Sequence, residues 1–96
     1  MDLRKLARGR ECTVRLTGVC NHDPETTVLA HVRLAGVSGM GTKAPHLLGA
    51  WCCSACHDAI DRRAHLDLER DYVRLAHYEG VIRTQAALIR EGVVKA

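Results

Sequence analysis

Residues 51–63 concentrate groups that can do chemistry: Cys53, Cys56, His57, Asp58, Asp61, Arg62 and Arg63 all fall within them. The Cys-x-x-Cys step lets two thiolates converge on one point, as a tetrahedral zinc site requires, while His57 follows at once and points elsewhere. On a helix, His57 and Asp61 are four residues apart and project from one face, as do Asp58 and Arg62. The density predicts two sites sharing one segment: a structural zinc on the cysteines and, beside it, a catalytic metal on His57. Blander readings stay open. The cysteines also suit a buried thiol pair or a redox couple, and His57 suits a histidine that packs on the zinc knuckle.

The other half of a four-cysteine site must come from Cys12 and Cys20, which bracket the stretch Glu-Cys-Thr-Val-Arg-Leu-Thr-Gly-Val and which a looped-back segment can bring together. His22 is the substitute ligand if Cys20 faces away, and Cys52 is the spare, a small packing residue. The chain has 5 cysteines, an odd count that argues against a closed disulfide framework.

These groups must be positioned by the surrounding elements. Residues 2–8 suit a short helix or a basic arm, broken by Gly9. Residues 11–19 alternate and are β-branched, which predicts a short strand with a turn at Thr17-Gly18. Thr27 to Leu34 has strand composition and contains His31. Gly36, Ser38, Gly39, Gly41, Thr42, Lys43 and Pro45 then form a flexible loop, after which residues 46–51 resume an extended course, so the two strands make a hairpin. A helix is expected from Ser54, as its cap, through Arg63. Leu68, Tyr72, Leu75, Tyr78, Ile82, Ala86 and Ile89 recur at three and four, marking a C-terminal amphipathic helix that Gly80 weakens by roughly 1 kcal/mol and Gly92 ends.

With 96 residues and only Trp51, Tyr72 and Tyr78 as aromatics, one domain with a small aliphatic core is expected, and a zinc cluster compensates for its size. The fold class is α+β: residues 1–10 as arm or short helix, 11–65 as the metal-bearing core, and 66–92 as the C-terminal helix. No signal-peptide pattern or membrane-length apolar run occurs, so a cytoplasmic location is expected, where cysteines favour metal over disulfides. The 14 Lys and Arg exceed the 11 Asp and Glu, a net charge of +3 that permits a polyanionic partner without requiring one. Arg4, Lys5, Arg8 and Arg10 crowd the start. The glycines lack a Gly-Lys-Ser/Thr ending, which argues against a phosphate loop.

A strand histidine, a long loop, a second strand and a Cys-x-x-Cys-His step opening a helix resemble the HNH endonucleases of the ββα-metal (His-Me finger) group. More closely, residues 29–33 (Leu-Ala-His-Val-Arg) followed by residues 53–63 resemble the prophage YbcO-type family, related to the Ref (recombination enhancement function) nucleases. The resemblance implies metal-dependent hydrolysis of DNA phosphodiesters. It implies His31 as general base, His57 and Asp61 as ligands of Mg2+ or Mn2+, with Asp58 the next candidate, and Zn2+ on Cys12, Cys20, Cys53 and Cys56. Ala30 stands where many members carry a metal-binding side chain, and His46 is the candidate for the middle residue of the pattern. Arg33, Arg62 and Arg63 would grip phosphates, or else form a solvated face. Partners implied are DNA and a recombinase, with a dimer contact conceivable on the outer side of the long helix. The competing expectation is a catalytically silent zinc module that binds DNA or a recombination or replication protein. His65 and His77 read as surface residues.

Overall fold

The computed structural model describes residues 2–38 and 44–95, so Gly39, Gly41, Thr42 and Lys43 of the expected loop lie outside the described residues. Asp2 opens the first helix, α1 (Leu3–Leu6), by accepting a hydrogen bond from Arg4 N at 3.0 Å, and Gly9 at φ 79° breaks the course beyond it. The strand expected over residues 11–19 does not form. Its backbone instead wraps a sulfur: Arg15 takes a positive φ of 54°, and its N–H lies 3.5 Å from Cys12 Sγ. The expected turn at Thr17-Gly18 does form, closed by Cys20 N donating to Leu16 O at 2.9 Å. Val14 and Leu16 are buried, so the alternation is spent on packing a loop and not on a ladder.

Two short strands, β1 (Val28–His31) and β2 (Gly49–Cys52), pair antiparallel with Ala30 opposite Ala50 and His31 opposite Gly49. Each is shorter than composition suggests. Residues His46–Leu48 form a single 3-10 turn after Pro45 instead of extending, which places His46 beside the end of β1. The next helix, α2 (Ser54–Ile60), is capped not by Ser54 but by Cys53, whose sulfur accepts from Cys56 N at 3.4 Å. It stops short of Arg63 because Arg62 turns left-handed at φ 59°.

The long helix, α3 (Arg70–Arg90), is present, yet it buries a different face from the one its large residues mark. Val73, Ala76, His77, Gly80, Val81, Thr84, Ala87 and Leu88 face the core, while Tyr72, Leu75, Ile82 and Ile89 are exposed. Close approach decides this. A Cβ on Gly80 would stand 2.9 Å from Val14 Cγ2 and 3.2 Å from Ala50 Cβ, so the small-residue stripe is what lets α3 lie against β2 and the Cys12 loop. A ring of polar bonds locks the contact. Trp51 N donates to Thr84 Oγ1 (3.0 Å), and Thr13 Oγ1 donates to Trp51 O (2.9 Å). With the Thr13 proton so used, Thr84 must donate to Thr13 across 2.9 Å.

A second buried group joins the two ends of the chain: Ala7 and Trp51 pack with Ala87 and Leu88. Above it Arg10 lies over the Trp51 ring at 4.7 Å and pairs with Glu91, Nη2 to Oε1 at 2.7 Å. Among the described residues no helix is long and apolar enough to cross a membrane.

Candidate functional site

The loop around Cys12, the turn ending at Cys20 and the start of α2 bring four sulfurs together. The Sγ atoms of Cys12, Cys20, Cys53 and Cys56 all lie within 4.8 Å of one another. Tetrahedral zinc with Zn–S bonds of about 2.3 Å needs sulfurs roughly 3.8 Å apart, and Cys20 and Cys53 are separated by 3.8 Å. The donor set therefore fits zinc. Hydrogen bonds from the Cys52 and Cys56 thiols hold the Cys12 thiol far below its ordinary pKa, whereas burial first, with the Cys12 charge, pushes Cys20 up to about 11. A metal bound here would require its thiol ligands to give up their protons. Cys52 is fully buried in the core, as a packing residue should be, with its sulfur also beside Cys12. His22 Nδ1 lies 3.7 Å from Cys20 Sγ, and it is Cys20, not His22, whose ligand atom joins the cluster of four.

Beside α2 a cleft of ≈ 810 Å³ is lined by His31, Arg33, His57 and Asp61 and by Asp2, Arg4, Lys5 and Arg8 of the α1 segment. Strand β1 delivers His31 at its last residue, and α2 delivers His57 one turn before Asp61. His46, brought back by its 3-10 turn, meets His31 directly, Nδ1 to Nε2 at 2.7 Å. His57 Nε2 lies 3.4 Å from Asp61 Oδ2. Two donors bound to one divalent cation at about 2.1 Å and right angles stand roughly 3 Å apart, so this pair fits such an ion with a small adjustment.

The arginines divide. Arg33 Nη2 lies 3.2 Å from Asp61 Oδ1, and Arg63 Nη2 lies 3.0 Å from Asp58 Oδ1 and 3.3 Å from Asp61 Oδ2; both side chains are mostly exposed. Arg63, not Arg62, therefore takes the Asp58 partner expected from helical spacing, because α2 has ended by then. Arg62 turns inward, its Nη2 donating to Leu66 O and Leu68 O at 3.1 Å each, so it braces the loop before α3 and is not presented to a phosphate.

His77 is the residue that sequence reasoning misplaced. It is buried, its Nε2 donates to Ala30 O at 2.8 Å, and burial lowers its pKa. It thus fastens α3 to the strand residue next to His31. The available signal was its place in the stripe Val73, Ala76, Gly80, Thr84, which the larger residues on the other face obscured.

The family model described as "Putative nuclease YbcO" matches residues 1–93. The chain is 57% identical over 95 residues to "Putative nuclease YbcO" of Escherichia coli (strain K12), covering 99% of this chain and 98% of that protein. It is equally similar, at 57% identity over 95 residues, to "Putative nuclease ybcO" of Enterobacteria phage 82. A solved structure described as "Structure of a putative bacteriophage protein from Escherichia coli str. K-12 substr. MG1655" superposes with a TM-score of 0.79 at 48% identity, covering 95% of this chain and 100% of that one. With the match running almost from end to end, the chain belongs to the YbcO family.

Proposed function

We propose that the protein is a metal-dependent DNA endonuclease of the HNH type, of phage or prophage origin, with His31 as general base. The observation that carries this reading is that His31, His57 and Asp61 line one cleft together with Arg4, Lys5 and Arg8. The nuclease names of its relatives support the same reading. The consecutive elements β1, β2 and α2 supply the strand, strand and helix that a ββα-metal unit needs, with the cysteine cluster bracing them.

Each residue has a task. His31 Nε2 and His46 Nδ1 share a hydrogen bond of 2.7 Å, which fixes the ring of the proposed base. His46 then orients the base. His57 and Asp61 would hold Mg2+ or Mn2+, which when bound offsets charge developing on the phosphate and the leaving oxygen. Arg33 and Arg63 present exposed guanidinium forks that match phosphate oxygens, and the α1 cations add sequence-independent, salt-sensitive affinity.

The test is cleavage of single-stranded, duplex and branched DNA in Mg2+ or Mn2+, with and without a recombinase, by the zinc-loaded protein and by a His31→Ala variant. Wild-type cutting, slowed about 100-fold or more in the variant, is expected. Equal cutting by both removes His31 from the mechanism. One observation favours a second reading, a silent DNA-binding zinc module: Ala30 offers no ligand, being buried with its carbonyl held by His77. Tight DNA binding with no cutting under every condition would establish that reading instead.

A further inference from the structure

Asp61 is the most heavily contested group in the cleft. Its side chain is 13% exposed, and both oxygens are engaged: Oδ1 by Arg33 at 3.2 Å, Oδ2 by Arg63 at 3.3 Å and by His57 at 3.4 Å. The two guanidiniums arrive from separate elements, the segment after β1 and the loop after α2. Their side chains are 78% and 58% exposed, so each covers the carboxylate while its outer edge meets solvent. A guanidinium does not give up its proton, so its charge leaves Asp61 only if the side chain moves. A cation approaching Asp61 in the free protein therefore meets two fixed positive charges. Phosphate is the group those forks match best, and exposed ion pairs are weak enough to exchange partners readily.

We propose that Arg33 and Arg63 are shared between Asp61 and the substrate's phosphates, so that the nucleic acid and the divalent cation bind cooperatively. The DNA backbone draws the guanidiniums away from Asp61, and the carboxylate joins His57 as a ligand. The free protein is thereby kept from assembling its cation site before substrate arrives. By linkage the effect is reciprocal: the cation strengthens DNA binding by the factor through which DNA strengthens cation binding. The inference rests on the nuclease reading for the identity of the cation site, but it is read out by binding and not by cleavage.

The experiment titrates Mn2+ into the zinc-loaded protein, following the free-ion paramagnetic resonance signal. Titrations are run with and without a short duplex of nuclease-resistant linkages, and the duplex alone is subtracted. Wild-type protein is expected to bind Mn2+ about 5- to 10-fold more tightly with DNA, in the usual range of such couplings. The Arg33→Gln/Arg63→Gln variant should bind Mn2+ more tightly than wild type without DNA and gain little when DNA is added. Lys5→Gln/Arg8→Gln removes two charges from the same cleft without touching Asp61, and should keep the coupling. Equal Mn2+ affinity with and without DNA overturns the proposal while leaving the nuclease reading intact if the wild type still cuts. Equal loss of coupling in both double variants assigns it to the general field of the cleft and also overturns it. Wild-type protein that binds DNA but never Mn2+ overturns the cation site and the nuclease reading with it.

Discussion

At the scale of single residues, chemistry here depends on imidazoles in contrasting surroundings. His57 faces the cleft beside a carboxylate, whereas His77 is enclosed and spends its Nε2 proton on the Ala30 carbonyl. Burial is the first cause of its lowered pKa, with nearby His57 and Arg33 acting in the same sense. A depressed histidine pKa means the unfolded chain binds the proton more readily, so stability is full above the unfolded value near 6.5 and declines as pH falls toward the folded one. A His77→Gln variant keeps a donor for Ala30 but not the titration. As pH falls below about 6.5, wild type is expected to lose more stability than this variant, measured as urea midpoints at saturating zinc. Equal slopes would place the acid sensitivity elsewhere. That His31 and His57 are candidates for a site was legible in their sequence neighbours. That His77 underlies the same site was not, because a histidine at helical spacing looks alike on an inner or an outer face until the helix is docked.

At the scale of elements, α3 shows how the larger side chains of a sequence can mark the wrong face. Tyr72, Leu75, Ile82 and Ile89 carry the stronger apolar signal yet remain exposed, because the contact with β2 demands small residues. Alanine at position 80 gains about 1 kcal/mol of helix propensity. Its Cβ would nevertheless meet Val14 at 2.9 Å and both Ala50 Cβ and Thr13 Oγ1 at 3.2 Å. Overpacking of this kind costs typically 1–3 kcal/mol. Gly80→Ala is therefore expected to destabilise by about 1 kcal/mol net, lowering the thermal midpoint by roughly 4–8 °C. Ile82→Gln, on the exposed face, should stay within about 0.5 kcal/mol of wild type. Calorimetry of the two variants checks this; the reverse order would mean that the exposed stripe is the packed one. The missing strand over residues 11–19 has a related cause, since a loop that turns the Arg15 N–H toward the Cys12 sulfur cannot also offer it to a ladder.

At the scale of the whole molecule, the four sulfurs join the early loop to α2, and α2 carries His57 and ends at Asp61, so the cysteine cluster and the candidate cation site share one helix. Structural zinc contributes folding free energy outright. Chelation, or Cys53→Ser, is expected to abolish the cooperative thermal transition, whereas Cys52→Ala should retain one equivalent of zinc and a sharp, slightly lower transition. Metal analysis alongside calorimetry checks both. A sharp transition in zinc-free Cys53→Ser would show that the aliphatic core suffices alone.

The sequence by itself determined the inventory: the Cys-x-x-Cys-His step, the second cysteine pair, a histidine in a strand, and His57 and Asp61 at helical spacing. These were readable because ligand spacing and helical periodicity are local properties of the chain. Only the tertiary structure decided which face of α3 is buried, that Arg62 turns inward while Arg33 and Arg63 close on Asp61, and that His46 reaches His31. Those outcomes depend on how closely separate elements approach and where a helix stops. Both are fixed by packing between residues far apart in the chain, which no local spacing encodes.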